Sequence, residues 1–457
     1  MFAKDVYVKR RLRLTLNFDK GIILFLGNRE LPYTSVSNTY KFRQESTFLY
    51  YTGINLPSLA LLIDIEKESI LLFGDNQDAD QIIWSGKQEI LELTAEKAGI
   101  NNVQPFSQLK NVLDKNKGRE IYYFIPDQVE LQILLSSLLN KSVDELKMNV
   151  SVKLIKSIVG QRLVKEKIEI NEIEDTLKNI TGPMFELALR SVREGISEME
   201  IMGMMQGFAL QMGAGMAFQP IVSVHGEILH NPYYTNKLKN GDLLLIDAGV
   251  ESEDFYATDI TRTFPVGKMT EKQRDIYSIV LEAQLRSIEI MKAGENFKDV
   301  HLTACRIIAD GLKETGLLMG NTDDIVTEGA HALFFPHGLG HLLGLDTHDM
   351  ENLGEDYVGY DSDNKRETKF GISYLRYARE LKENCIITVE PGIYFIPELI
   401  AIWKKEKKYR TFINYDLIES YLNFGGIRIE DNVLVEKDGA RILGNNIPKF
   451  LNDIETG

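Results

Sequence analysis

Cysteine is nearly absent from this chain: of 457 residues only Cys305 and Cys385 carry a thiol, each inside an otherwise apolar segment. Two cysteines cannot build a disulfide scaffold, and the pattern fits a reducing compartment with both thiols inert in the core. Long hydrophobic runs are missing too. With no stretch of about 18 uninterrupted apolar residues, no bilayer-spanning helix and no membrane partner are expected. The opening MFAKDVYVKRRLRL puts charges where a secretory signal needs an apolar core, so the cytoplasm is the expected location. Positive charge is in deficit, with 52 Lys and Arg against 67 Asp and Glu and a formal net charge of -15. That balance argues against nucleic-acid binding, which draws on basic patches and counterion release. The one compact basic cluster, KRRLR at 9–13, reads as a solvated face. Internal repeats and low-complexity tracts are also lacking.

What is present suggests two domains, because the length is two to three times that of a usual domain. IILFL at 22–26, LALLIDI at 59–65, ILLF at 70–73 and IYYF at 121–124 read as strands, and segments near 88–98 and 127–140 have helical spacing. An α/β domain over residues 1–155 follows. From about 152 to 218 apolar residues recur at three- and four-residue intervals, which predicts helices opening a second domain, 156–457. Strands return at GDLLLIDAGV (241–250), YATDITRTFPV (256–266), IITVEPGIYFI (386–396) and GGIRIEDNVLV (425–435). Between them a long helix is predicted from a cap at Thr270 to a stop at Gly294. The methionine run at 199–218 reads as adaptable core filling.

All seven histidines, at 225, 230, 301, 331, 337, 341 and 348, fall in one window, and the first 224 residues have none. The chemistry is therefore expected there, with His225, His301 and His331 open to a structural reading. The most informative set is Asp247, Asp259, His341, Glu390 and Glu430, whose four carboxylates end or interrupt apolar strands. Buried Asp and Glu need a pair or a metal. Four clustered carboxylates would raise one another's pKa, whereas two divalent ions cancel four negative charges. Oxygen-rich ligation with one imidazole suits Mn(II), with Co(II), Fe(II) or Zn(II) as alternatives. The His337–His341 spacing imitates the zincin HExxH helix, but the intervening Gly-Leu-Gly are poor helix formers and supply no glutamate base, so a loop or strand is expected.

The motifs IDAG around Asp247, ATDITRTFPV around Asp259, PHGLGHLLGLDTHD around His341, TVEPGIYF around Glu390 and GGIRIED around Glu430 together resemble the aminopeptidase P and prolidase branch of the pita-bread metallopeptidases. The resemblance spans roughly residues 160–445. Residues 27–53 look like the N-terminal domain of aminopeptidase P. This implies an α/β N-terminal domain followed by an α+β pita-bread catalytic domain, a curved antiparallel sheet covered by helices. It also implies two divalent metal ions bridged by Asp259 and Glu430, with Asp247 completing one site and His341 and Glu390 the other. A hydroxide between the ions would attack the scissile carbonyl, and Glu390 would shuttle the proton to the leaving proline nitrogen. His230, His337 and His348 match non-ligand active-site histidines, and Arg428 would pair with a carboxylate in or near the site.

The expected substrates are proline-containing peptides, cut between an N-terminal residue and proline, and the expected assembly is a homo-dimer or homo-tetramer. Within the family the N-terminal half looks like aminopeptidase P. YLRYAREL at 374–381 and the 395–426 extension instead resemble prolidases, in which an arginine matching Arg376 holds the dipeptide carboxylate; a surface helix residue is the alternative for Arg376. A creatinase-like C–N hydrolase, a non-catalytic binding relative and a methionine aminopeptidase are further alternatives. Retention of all five ligands disfavours the binding relative. The large N-terminal domain is not required by a methionine aminopeptidase.

Overall fold

A computed structural model describes residues 1–455. The chain divides into two compact units, one of Met1–Arg162 with Met350–Val358, the other of Leu163–Asp349 with the chain from Gly359 onward.

The first unit is built on a five-stranded sheet in the order Val103–Gln104, Ser69–Phe73, Ala60–Asp64, Ile22–Leu26, Ile121–Tyr122. Its three central strands are antiparallel, and both edge strands run parallel to their neighbours. IILFL is buried at every position, which is why it lacks the polar alternation of a one-sided strand. Ile22, Leu24, Leu62, Phe73 and Leu135 meet in the core of this unit. The KRRLR reading needs correcting, because within the helix Lys4–Thr15 Arg10 and Arg11 are each only 1% exposed. Their guanidiniums donate to carbonyls at the C-terminal end of the helix Ser46–Thr52, Arg10 to Tyr50 at 3.1 Å and Arg11 to Tyr51 at 2.6 Å. Helix-end carbonyls left without intrahelical donors are the physical reason the two cations go inside.

In the second unit the helices Lys167–Thr176, Gly182–Ser191 and Glu198–Gln211 occupy the predicted helical stretch. Of the methionine run only Met205 is fully buried, while Met199 and Met212 are about half exposed. The long helix is Glu271–Ile290, with Thr270 and Gln273 forming a capping box. It stops before Gly294 because Met291 is already extended. The strands Ile221–Ser223, Leu243–Ala248 and Ile260–Pro265 form one antiparallel sheet, and Ile386–Val389, Asp431–Val435 and Ala440–Ile442 form another. Gly392–Tyr394 and Gly426–Arg428 pair separately.

Two strands read as continuous in the sequence are each broken, one at Glu390-Pro391 and the other at Ile429-Glu430. Pro391 has no N–H to donate. The two breaks face each other: Ile429 N–H reaches the Pro391 carbonyl at 3.3 Å, and Glu430 pairs across to Thr261. These interruptions release two carboxylates from the ladder beside the Ile260–Pro265 strand.

Candidate metal centre

Strand register brings the acidic residues together. Asp247 lies opposite Thr261, and Thr261 bridges to Glu430, so three neighbouring segments present Asp247, Thr261 and Glu430 in one row. Asp259 sits two residues before Thr261, on the same face by the two-residue period of a strand. Its backbone is clamped by Asn432, which accepts from Asp259 N–H at 3.1 Å and donates to its carbonyl at 2.5 Å. His341 belongs to the PHGLGH segment, which is irregular rather than helical. Thr388 holds it at both ends: His341 N–H donates to Thr388 Oγ1 at 3.0 Å, and Thr388 N–H donates to the His341 carbonyl at 2.9 Å.

His341 Nε2 stands 3.4 Å from Asp259 Oδ2 and 3.4 Å from Glu390 Oε1. Asp259, His341 and Glu430 can each aim one ligand atom so that all three lie within 4.8 Å of one another. Asp247 Oδ1, Asp259 Oδ1 and Glu430 Oε1 are buried without a hydrogen-bond partner among the described residues. Burial, with the charge of Asp247 second, pushes the Asp259 carboxyl far up, and burial with the charge of Asp259 does the same to Glu430. Burial likewise pushes Glu390 up to about 7. Orphaned oxygens on Asp247, Asp259 and Glu430, with Asp259 and Glu430 able to bring ligand atoms close to the His341 imidazole, fit divalent cations as the missing partners. His341 Nδ1 lies 3.1 Å from the Leu342 carbonyl, which leaves Nε2 as the ligand nitrogen.

Beside this cluster runs a chain of polar contacts. Arg428 Nη2 donates to Asp247 Oδ2 at 2.6 Å, its Nη1 to the Tyr394 hydroxyl oxygen at 3.0 Å, and its Nε to Thr261 Oγ1 at 3.2 Å. The Tyr394 hydroxyl lies 2.8 Å from His337 Nε2, and His337 Nδ1 lies 2.8 Å from the Gly338 carbonyl. The only tautomer satisfying both contacts has the proton on Nδ1 and Tyr394 donating to Nε2. Burial, reinforced by the charge of Arg428, holds His337 down at about 3, so it is neutral.

The His348 ring packs edge-on against His341 with centroids 4.4 Å apart. Burial, then the charges of His341, Arg376 and His230, hold His348 at about 2. His230 is exposed and acts electrostatically on both His337 and His348. Arg376 lies in an irregular, half-buried segment rather than on a surface helix. The other histidines lie apart from the metal cluster: His225 pairs with Glu227 at 3.0 Å, His301 Nε2 is 3.5 Å from Cys305 Sγ, and His331 Nδ1 is 3.5 Å from the Ile325 carbonyl. Both thiols are buried and free, and burial pushes Cys385 up to about 12.

Sequence reasoning quoted Tyr394, Thr261 and Thr388 within motifs without giving them a task. The available signal was alternation, since Thr261 shares a strand face with Asp259, Thr388 with Glu390, and Arg428 with Glu430.

Comparison with known proteins adds to this geometry. The sequence profile of metallopeptidase family M24 matches residues 176–437, and that of the aminopeptidase P N-terminal domain matches residues 7–122. A probable Xaa-Pro aminopeptidase of Fusarium vanettenii is 35% identical over 437 residues, covering 93% of this chain and 89% of the relative. One of Aspergillus clavatus is 34% identical over 469 residues, covering 98% and 95%. Among solved structures, zinc-substituted Escherichia coli aminopeptidase P in complex with product superposes with a TM-score of 0.82 at 28% identity, covering 100% of this chain and 98% of that one.

Proposed function

The chain belongs to metallopeptidase family M24, and from that premise we propose that it is a two-metal Xaa-Pro aminopeptidase that removes an N-terminal residue followed by proline. The observation carrying the reading is the grouping of ligand atoms of Asp259, His341 and Glu430 within 4.8 Å of one another, with orphaned oxygens on Asp247, Asp259 and Glu430. Asp259 and Glu430 would hold both ions, Asp247 completing one site and His341 with Glu390 the other. Bound there, divalent ions supply an acidified water and a Lewis acid for the scissile carbonyl. The aminopeptidase names of the relatives favour this activity over a dipeptidase.

The residues then have these tasks. An Xaa-Pro bond is a tertiary amide with no N–H, so its nitrogen must gain a proton to leave. Glu390, 3.4 Å from His341 Nε2, can take a proton from the attacking water and return it to that nitrogen. His337, whose one N–H goes to Gly338 and whose Nε2 takes the Tyr394 proton, would shape the reacting region, while neutral His348 would face the carbonyl oxygen as charge develops on it. Arg428 claims one oxygen of Asp247 and so fixes which oxygen faces the metal. His230 and Arg376, both electrostatic neighbours of His348, would contact substrate, whereas Arg376 as the holder of a dipeptide carboxylate belongs to the dipeptidase alternative.

The same reading assigns residues 1–155 to the N-terminal aminopeptidase P-like domain and 156–457 to the catalytic domain, with Mn(II) as the working metal, a homo-oligomeric assembly and a cytoplasmic location. No helix among the described residues is long and apolar enough to cross a membrane. The test is Asp259→Ala, measured by metal content and by glycine release from Gly-Pro peptides. Loss of one or both ions and of turnover, with the circular dichroism spectrum retained, supports the mechanism, and full activity overturns it.

A further inference from the structure

Behind the metal-facing side of Glu430 lies a second buried polar cluster that the reaction does not use. Arg262 is 1% exposed and lies on the strand between Thr261 and Thr263. It spends all five N–H donors: Nη1 on the carbonyls of Glu430 at 2.6 Å and Thr261 at 2.9 Å, Nη2 on Asp431 Oδ1 at 2.6 Å and the Ile447 carbonyl at 3.1 Å, and Nε on the Pro448 carbonyl at 3.1 Å. The other oxygen of Asp431 receives Lys449 Nζ at 2.6 Å and Gln284 Nε2 at 2.9 Å, and Lys449 also donates to Gln284 Oε1 at 2.7 Å. Asp431 and Lys449 are each 2% exposed. Burying two cations, one anion and an amide is costly unless every group is matched, and here the matching converges on one peptide unit, Glu430–Asp431.

That convergence has a geometric reason. Glu430 sits where the ladder is interrupted, between the Gly426–Arg428 and Asp431–Val435 strands, so no strand partner takes its carbonyl. Arg262 does so instead. The angle at which Glu430 offers its carboxylate therefore depends on Arg262 and Asp431, and both are anchored by the segment 447–449. That segment lies beyond residue 437, where the family M24 match ends.

We propose that Lys449 is a positioning residue of the metal centre: through Asp431, and with the Ile447 and Pro448 carbonyls acting through Arg262, it fixes the Glu430 peptide so that the Glu430 carboxylate meets the ions. This rests on the reading of Glu430 as a ligand. A positioning role makes metal affinity, rather than the fold, the quantity that Lys449 controls.

The test uses full-length protein stripped of metal. Dissociation constants for Mn(II) and Co(II) are measured by competition with a chromophoric chelator, the visible absorption of the Co(II) form is recorded, and folding is checked by circular dichroism. K449M is expected to fold, to weaken at least one of the two ions by tenfold or more and to shift the Co(II) bands, while K449R restores affinity to within about threefold. Unchanged affinity and an unchanged Co(II) spectrum in folded K449M overturn the proposal. Should K449M not fold, Gln284→Met, which removes the neutral bridge between Lys449 and Asp431 together with a long 3.4 Å contact to the Val389 carbonyl, carries the same test with a twofold to fivefold loss expected. Failure of both variants to fold assigns the cluster to stability and overturns it as well. Glu430→Gln is the control: if that variant binds both ions as the unaltered protein does, the ligand reading itself fails, whereas its weakening alongside an unaffected K449M sinks only the role of Lys449.

Discussion

Arg428 Nη2 stands 2.6 Å from Asp247 Oδ2, while Oδ1 of the same carboxylate is buried without a protein partner. One oxygen is neutralised by the protein and the other is left for a cation. Removing the arginine leaves a buried carboxylate uncompensated, which typically costs about 3–5 kcal/mol. Metal-free Arg428→Met is therefore expected to unfold at clearly lower urea concentration than the metal-free parent, and Mn(II) should recover part of the difference, since the ion supplies positive charge at the same carboxylate. Equal midpoints for the two metal-free proteins would contradict this electrostatic reading.

Tyr394 joins Arg428 to His337 through one hydroxyl. Tyr394→Phe keeps the ring in its packing against His337 and removes only that link. Steady-state kinetics should give a kcat about tenfold to a hundredfold lower, the range expected when a hydrogen bond that orients active-site groups is lost, with KM changed little. A raised KM at constant kcat would instead assign Tyr394 to substrate binding.

Much of this candidate site was legible from the chain alone because its four carboxylates end or interrupt apolar runs, an arrangement with a high burial cost and few explanations. The strand IILFL and the Thr270 cap were equally plain, since apolar runs and capping boxes are local signals. The strand breaks at Glu390 and Glu430 were not, because a run such as GGIRIEDNVLV carries β propensity throughout and its interruption depends on Thr261 and Pro391 across the sheet. The burial of Arg10 and Arg11 was hidden for the same reason: their partners are carbonyls about 40 residues away in sequence. Nothing local marks Lys449, because its partner Asp431 lies on a separate strand.

Metal loading should release protons. Glu390 at about 7, with Asp259 and Glu430 also raised, retains protons near neutrality that a cation must displace. Calorimetric Mn(II) titrations in buffers of different ionisation enthalpy are expected to show proton release at pH 6.5, with Glu390's share shrinking as the pH rises through 7 and that carboxyl ionises in the metal-free protein. Apparent affinity should fall with acidification over the same window. Buffer-independent heats at pH 6.5 would mean that the carboxyls are already ionised.

Gly249 tests the backbone frame. A Cβ there would lie 1.7 Å from the Thr258 carbonyl oxygen, between the segments carrying Asp247 and Asp259. Gly249→Ala must push these segments apart, at an overpacking cost of about 1–3 kcal/mol or somewhat more. Metal affinity should fall together with the melting temperature; parent-like values of both would show that the approach is not needed to set the ligand spacing.

The central claim is metal-dependent removal of the residue before proline, and incubating the Mn(II)-loaded protein with Gly-Pro-Gly-Gly, followed by mass spectrometry, tests it most directly. Free glycine and Pro-Gly-Gly should appear, vanish when a chelator strips the metal, and return on adding Mn(II). An intact tetrapeptide, or cleavage that continues after the metal is removed, would contradict the assignment.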